Sequence, residues 1–255
     1  MPFSLSAPDQ KVSFWGHRDA QLGVDWQLAG QTGQASLRVR AFPAMFSVYH
    51  EGPAPLILHG YPNLILKGND WAAARRELEA GGYVALWLAN QDPETFRPLV
   101  EWFVAHGGGV VWMGKPLAGE GFPVRLAQPE PAKAKFLSLL AGDTPALRLS
   151  APVQRFRTYY ESATGFLAWQ VTTQGGGDVT ATWGPPRSDT ERSIQGSPAV
   201  VVSKDPTRRI VYFASDVEMT TEDSYRFEER VHRQCQWYIT YYLCHLLAWA
   251  AGTEA

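Results

Sequence analysis

Two stretches of the chain, Tyr83 to Ala89 and Val110 to Met113, are almost continuously apolar. Strands covered on both faces carry this pattern. Each follows a helix-like stretch that ends in glycines. Asn69 or Asp70 can cap a helix over residues 71–80, which Gly81-Gly82 stops. Asp92-Pro93 opens a turn, and Pro98 suits a first helical position, where its missing N–H needs no partner. Leu99, Val100, Phe103 and Val104 then share one face before Gly107. Helix, glycines and buried strand occur twice in succession, and parallel strands need a crossover of this kind. The pattern predicts an α/β fold with a doubly wound, mostly parallel sheet, in one domain over residues 1–255.

The flanks differ. The first 67 residues read as a β-rich embellishment, with short β-type runs at Val12–Trp15, Ser36–Arg40, Phe46–Tyr49 and Leu56–Leu58. Alternation of Leu37 and Val39 with Arg38 and Arg40 predicts one wet face. A helix is expected over 132–140, and strands between 156 and 183 with a turn at Gly175-Gly176-Gly177-Asp178. Two further strands, Ala199–Val202 and Ile210–Ala214, flank a tight turn at 204–207. One long helix is expected from about 222 to 251, where Phe227, Val231, Cys235, Tyr238, Tyr242, Leu246 and Trp249 recur at three- and four-residue steps.

Composition narrows the class. Apolar residues make up 45% and charged residues 19%, so the chain is globular. The net charge is -2 with no basic block, which excludes a sequence-independent grip on nucleic acid. A secretory leader and an apolar run of membrane-spanning length are both missing, so no membrane association is expected. Cys235 and Cys244 lie nine residues apart on the expected last helix, about 13–14 Å along its axis and too far for a disulfide. These features point to a cytoplasmic protein with reduced thiols.

Two segments resemble a known superfamily. One is LEAGGYVALWLANQDPETFRPLVEWFVAHGGGVVWMG, residues 78–114. The other is GSPAVVVSKDPTRRIVYFASDVEMT, residues 196–220, followed by a helix ending in HLLAWAAG. Their order resembles class I glutamine-amidotransferase-like domains, which have a flavodoxin-like sheet. Within them it is nearest to ThuA-like proteins and the trimerisation-type domain of some β-galactosidases. The resemblance covers roughly half of the chain, and its motifs are patterns rather than signatures.

An active amidotransferase of this kind places a nucleophilic Cys after a core strand and a His-x-Glu pair near a later strand end. The thiolate needs that base and donors beneath the developing oxyanion. Here the first strand runs into Gly114-Lys115-Pro116, and the later one into Ser215-Asp216-Val217-Glu218. Both members of the catalytic pair are missing, so glutamine hydrolysis is not expected.

Ligands of open α/β sheets bind at the carboxyl ends of strands. Asp216 and Glu218 are therefore the candidates for an acid or base, and Asn90, Asp92, Lys115 and His17 for ligand contacts in a polar crevice. A plainer role competes with this one: Asp216, Thr220, Thr221, Glu222 and Asp223 can simply cap the last helix. His59, in an HGYP stretch that imitates an α/β-hydrolase oxyanion loop, lacks the required G-x-S-x-G elbow. Residue spacing offers no zinc site, P-loop or dinucleotide fingerprint, and no cofactor or metal is expected. Trp26, Trp169 and Trp183 are candidates for an exposed stacking platform.

The leading expectation is a non-catalytic, self-associating domain that binds a small molecule, a sugar or a protein partner. Trp237, Tyr238, Tyr241 and Tyr242 carry the expectation of a homo-oligomer, against burial of the same residues under a helix packed on two sides. The alternatives are an enzyme acting on a sugar or polar metabolite through a carboxylate crevice, and a structural subunit whose β-rich N-terminal part makes the contact.

Overall fold

A computed structural model describes residues 18–28, 30–41, 46–51, 64–68, 76, 85–142, 145–149, 159–184, 194–216 and 242–252. In chain order these form β1 (Arg18–Leu28), β2 (Gln31–Ala41), β3 (Phe46–Glu51), β4 (Leu64–Gly68), β5 (Ala85–Ala89), α1 (Pro93–Ala105) and β6 (Gly109–Met113). There follow β7 (Val124–Leu126), β8 (Ala132–Leu139), α2 (Pro145–Arg148), β9 (Tyr159–Ala168), β10 (Val171–Thr173) and β11 (Asp178–Trp183). Last come β12 (Pro198–Val202), β13 (Ile210–Phe213), β14 (Ser215–Asp216) and a helix over 242–250, here α3.

The α/β core is as the hydrophobic runs require. β5 and β6 are buried at every position and pair in parallel, Ala85 opposite Gly109 and Ala89 opposite Met113. The crossover between them is α1, which turns Val100, Phe103 and Val104 inward. It starts earlier than its sequence pattern indicates. Asp92 is the N-cap and Pro93 fills the first turn, so Pro98 lies inside the helix. The capping bond from Thr95 N–H to the Asp92 carboxylate, 2.9 Å, fixes the start. Pro98 then costs one helical hydrogen bond five residues on.

The sheet is mixed rather than mostly parallel. Its ten strands run β14-β9-β8-β11-β12-β13-β6-β5-β3-β4. Strands β13, β6, β5, β3 and β4 are parallel neighbours. Every pairing from β13 through β12, β11, β8 and β9 to β14 is antiparallel. The short turn between β12 and β13 leaves no room for a crossover, so those strands must run oppositely. After Ala214, β14 simply continues β13 and pairs with β9, with Ser215 opposite Ala168. The antiparallel half therefore closes on itself. Phe166, Trp183 and Phe213 fill its interior with ring centroids 5.3–6.5 Å apart.

Residues 132–140, expected as a helix, are the strand β8. A register shift between Ala134 and Phe136 explains the misleading pattern. Ala134 is buried before the bulge, Leu137 and Leu139 after it. Across this irregularity, where the additional residues lie on β9, the buried positions of β8 step from 134 to 137, and that three-residue step imitates a helix.

The β-rich N-terminal part divides. Among the described residues β1 and β2 pair only with each other, over their full length. β3 and β4 belong to the parallel half of the main sheet and are no embellishment. The expected runs Val12–Trp15 and Leu56–Leu58 lie outside the described residues. Of the helix expected over 71–80 only Arg76 is described, and it is helical.

Of the long last helix, the described part is α3. Tyr242, Leu243, Cys244, Leu246, Leu247, Ala248 and Ala250 are all buried, so this helix packs on more than one side. Its start meets β11, where the Tyr242 hydroxyl and Thr180 Oγ1 are 2.5 Å apart. Its end meets β6, where a Cβ on Gly109 would fall 1.7 Å from the Ala250 carbonyl oxygen. Tyr242 is thus satisfied inside its own chain, which removes it from the aromatic surface expected to drive self-association. Trp237, Tyr238 and Tyr241 lie outside the described residues.

Burial pushes the Tyr242 phenol well above its ordinary range. The folded state holds a proton that the unfolded state gives up, so this contribution to stability is intact below about pH 10 and declines above it. Thr180→Val, which leaves the Tyr242 hydroxyl buried without its partner, is expected to cost about 1–3 kcal/mol in urea unfolding. Adding Tyr242→Phe to that variant should recover part of the loss. Purely additive costs would mean that the two hydroxyls do not interact.

Candidate functional site

Strands β5, β6 and β13 end side by side, and their ladder continues one residue beyond them. Asn90 N–H donates to the Met113 carbonyl at 3.1 Å, and Gly114 N–H to that of Phe213 at 3.0 Å. This brings Asn90, the turn at 114–116 and the segment 214–216 to one edge of the parallel strands. Asn90 is exposed and left-handed, with φ 57°, a conformation that Asn tolerates better than most residues.

The turn after β6 is held from two strands. Tyr212 on β13 donates its hydroxyl to the Gly114 carbonyl at 2.9 Å. Trp112 on β6 donates its indole N–H to the Lys115 carbonyl at 2.7 Å. Gly114 has φ 103°, and an added Cβ would stand 3.3 Å from Asn90 Oδ1. A side chain at this position would be both strained and crowded. Neither clamp was identified from sequence, where both aromatics count only as core. The available signal is that each carries a polar atom that must find a partner when buried.

Lys115 projects outward, its ammonium 6.0 Å from the centroid of the Trp169 ring. Trp169 is half-buried, and its backbone N–H donates to the Ala214 carbonyl at 2.8 Å. Lys115 and Asp92 also line one cavity of about 260 Å³, together with Arg125 and Gln174. Arg125 Nε donates to Thr172 Oγ1 at 3.0 Å. The Gln174 amide spans the carbonyls of Gly119, Phe122 and Val124 at 2.7–3.0 Å, tying the loop to β7.

Asp92 is first of all a helix cap. Its carboxylate accepts from Thr95 Oγ1 at 2.5 Å as well as from Thr95 N–H. These bonds, more than the nearby Lys115 charge, hold its carboxyl below the ordinary range.

Among the candidates from sequence, then, Asp92 and Lys115 share a cavity, and Asn90 stands on the same edge. Asp216 lies in β14, with its backbone paired to Leu167. Glu218 and His17 lie outside the described residues, as do residues 220–223 proposed as caps. The three tryptophans separate: Trp26 is 44% exposed, Trp169 half-buried, and Trp183 only 1% exposed, so Trp183 cannot be a surface platform. Its ring belongs to the interior of the closed antiparallel half. Among the described residues no group of three or more His, Cys, Asp or Glu is placed to hold a metal ion. Nor is any described helix long and apolar enough to cross a membrane.

No protein-family model matches the sequence, and no curated protein matches it. Solved structures do. A ThuA-like protein from Bacteroides uniformis ATCC 8492 superimposes with a TM-score of 0.51 at 12% identity, over 82% of this chain and 93% of that one. A cytoplasmic protein from Salmonella typhimurium LT2 gives 0.46 at 12% identity, over 91% and 95%. A β-galactosidase from Bacillus circulans sp. alkalophilus gives 0.38 at 16% identity, over 69% of this chain and 29% of the enzyme. The first of these gives the chain a ThuA-like fold.

The cap makes a pH-dependent prediction. Because the folded-state pKa of Asp92 is lowered, its contribution is present at neutral pH and lost as pH falls through that lowered value. Asp92→Ala is expected to lower the melting temperature at neutral pH, and the gap to the parent should narrow below about pH 4. Asp92→Asn, which keeps an acceptor, should fall between them. A gap that does not change with pH would sink the ionised-cap assignment.

Proposed function

We propose that this chain is a cytoplasmic, non-catalytic member of the class I amidotransferase-like superfamily, folded as one domain, that binds a small polar ligand of the sugar type. The ligand occupies the crevice at the carboxyl ends of β5 and β6. One observation carries the reading: Lys115, beside the Trp169 ring, and Asp92 come from adjacent strand ends and line the same 260 Å³ cavity. Open α/β sheets bind ligands at such ends. Lys115 and Arg125 offer donors to hydroxyl groups, and the Asp92 carboxylate has acceptor capacity beyond its Thr95 bonds.

The non-catalytic part rests on the turn itself. Gly114-Lys115-Pro116 offers no hydroxyl or thiol, and the positive φ of Gly114 disfavours any residue that would. The enzymatic alternative would need Asp216 or Glu218 as acid or base.

Thermal shift against a panel of mono- and disaccharides, with divalent metals and nucleotides as controls, tests the reading. A saturable sugar-dependent rise that Lys115→Ala removes is expected, with the parent melting temperature of the apo variant retained. A flat response to every sugar would defeat the proposal. Turnover of a sugar that Asp216→Asn abolishes would transfer the case to the enzyme.

Self-association has its own support. A two-stranded ribbon is marginal in water on its own. Among the described residues β1 and β2 have no other strand partner, and the exposed tip carries Trp26. The ribbon is the contact between copies in this second reading. Replacing residues 20–39 by a short Gly/Ser turn leaves β3 in place and should convert an oligomer to a monomer in light scattering. A parent that is already monomeric would end this reading.

A further inference from the structure

A second and larger cavity, about 350 Å³, lies between α1 and the segment 117–122. The segment 117–119 lines both cavities, so they meet across it. The floor is apolar: Val104, Leu117, Phe122 and Ile210 are each no more than 4% exposed. Two guanidinium groups line the same cavity, from Arg97 on α1 and Arg208 before β13.

Their donors are not used up. The Arg208 guanidinium makes no hydrogen bond or ion pair among the described residues, although Asp205 lies within reach of its charge. It lies directly across Gly121, where an added Cβ would come within 2.1 Å of its Nη2. The backbone beneath it is fixed by Arg208 N–H to the Asp205 carbonyl at 3.0 Å and Ile210 N–H to the Arg208 carbonyl at 2.8 Å. Arg97 pairs with Glu94 through Nη2, while its Nε is buried with no partner. The planar guanidinium suits a carboxylate in particular.

We propose that this cavity binds a small carboxylate with an apolar body, its charged end on Arg208 and Arg97 and its body on the floor. One negative charge suits the site better than two, because Glu101 lines the same cavity and opposes excess anion. That carboxylate also sorts the two sources of such a ligand. It repels a simple fatty acid slightly and attracts the ammonium of an apolar α-amino acid.

The test is titration calorimetry on the full chain with hexanoate, L-leucine, n-hexanol and inorganic phosphate. At least one of the two carboxylates is expected to bind with a Kd of order 0.1–1 mM, about what a ligand of this size achieves. Hexanol and phosphate, each holding half of the chemistry, should bind at least tenfold more weakly. Arg208→Ala, at an exposed position where folding is not at stake, should weaken the carboxylate at least tenfold, with Arg208→Lys intermediate. Glu101→Gln should weaken leucine and strengthen hexanoate if the natural ligand is an amino acid, and strengthen both if it is not.

Failure of both carboxylates to bind at about 10 mM, or binding that survives Arg208→Ala, overturns the proposal. Lys115→Ala leaves this site intact, so loss of sugar binding and loss of carboxylate binding are separately readable.

Discussion

Helix α3 lies across the boundary between the two halves of the sheet, and that placement governs much of the rest. Its first described residue, Tyr242, meets Thr180 on β11, and its last, Ala250, meets Gly109 on β6. Three strand spacings separate β11 from β6, about 14 Å. Eight residues of helix advance about 12 Å. This described stretch of helix therefore covers the step from antiparallel to parallel pairing, where β12 and β13 need an apolar lid. Arg209 secures its end, with Nε on the Ala250 carbonyl at 2.8 Å and Nη2 on that of Gly107 at 2.7 Å. A cation at a helix C-terminus is also favoured by the dipole. The close approach requires glycine at 109, because any Cβ there would occupy the carbonyl's place.

With that lid fixed, the carboxyl ends of β5, β6 and β13 are set in register, and the candidate site follows from the register. Tyr212 and Trp112 contribute twice, as buried aromatic mass and as donors to the two carbonyls of the turn. Their bonds orient Lys115 outward over Trp169 without any contribution from Lys115 itself. The turn after β6 is thereby built of backbone whose carbonyls are already committed. Charge at this edge is presented by Asp92 and Lys115, which flank the turn rather than sit on it. Gly114, Lys115 and Pro116 themselves carry no hydroxyl or thiol.

The sequence made β5, β6 and β13 legible because these strands are buried at every position, and no surface preference blurs the signal. Asp92-Pro93 was visible as a turn, but Pro98 competed with it for the helix start, and only the Thr95 bond decides between them. β8 was misread because its bulge converts a two-residue step into a three-residue one. β3 reads as a short run within an embellishment and β4 is not legible as a strand, because the chain pattern says nothing about the partner a strand will choose. Lys115 and Asp92 were legible as strand-end polar residues. The clamps were not, because a donor's partner is set by tertiary geometry that the chain pattern does not contain. The closed antiparallel half was hidden for the same reason: one strand, broken at Ala214, serves two neighbours.

The two cavities share one wall, the segment 117–119. On the side of Asp92 and Lys115 the lining mixes charged side chains from adjacent strand ends with Pro93, Pro116, Val124 and Leu126. On the side of α1 the lining is the apolar face of the crossover helix and the base of β13, and its charges are guanidinium groups on flexible stems. Leu117 is buried against the core while Gly119 is exposed, so this segment can give one cavity an apolar wall and the other its opening. A ligand that shifted residues 117–119 from either side would change the shape of the other cavity, and any coupling between them would be reciprocal.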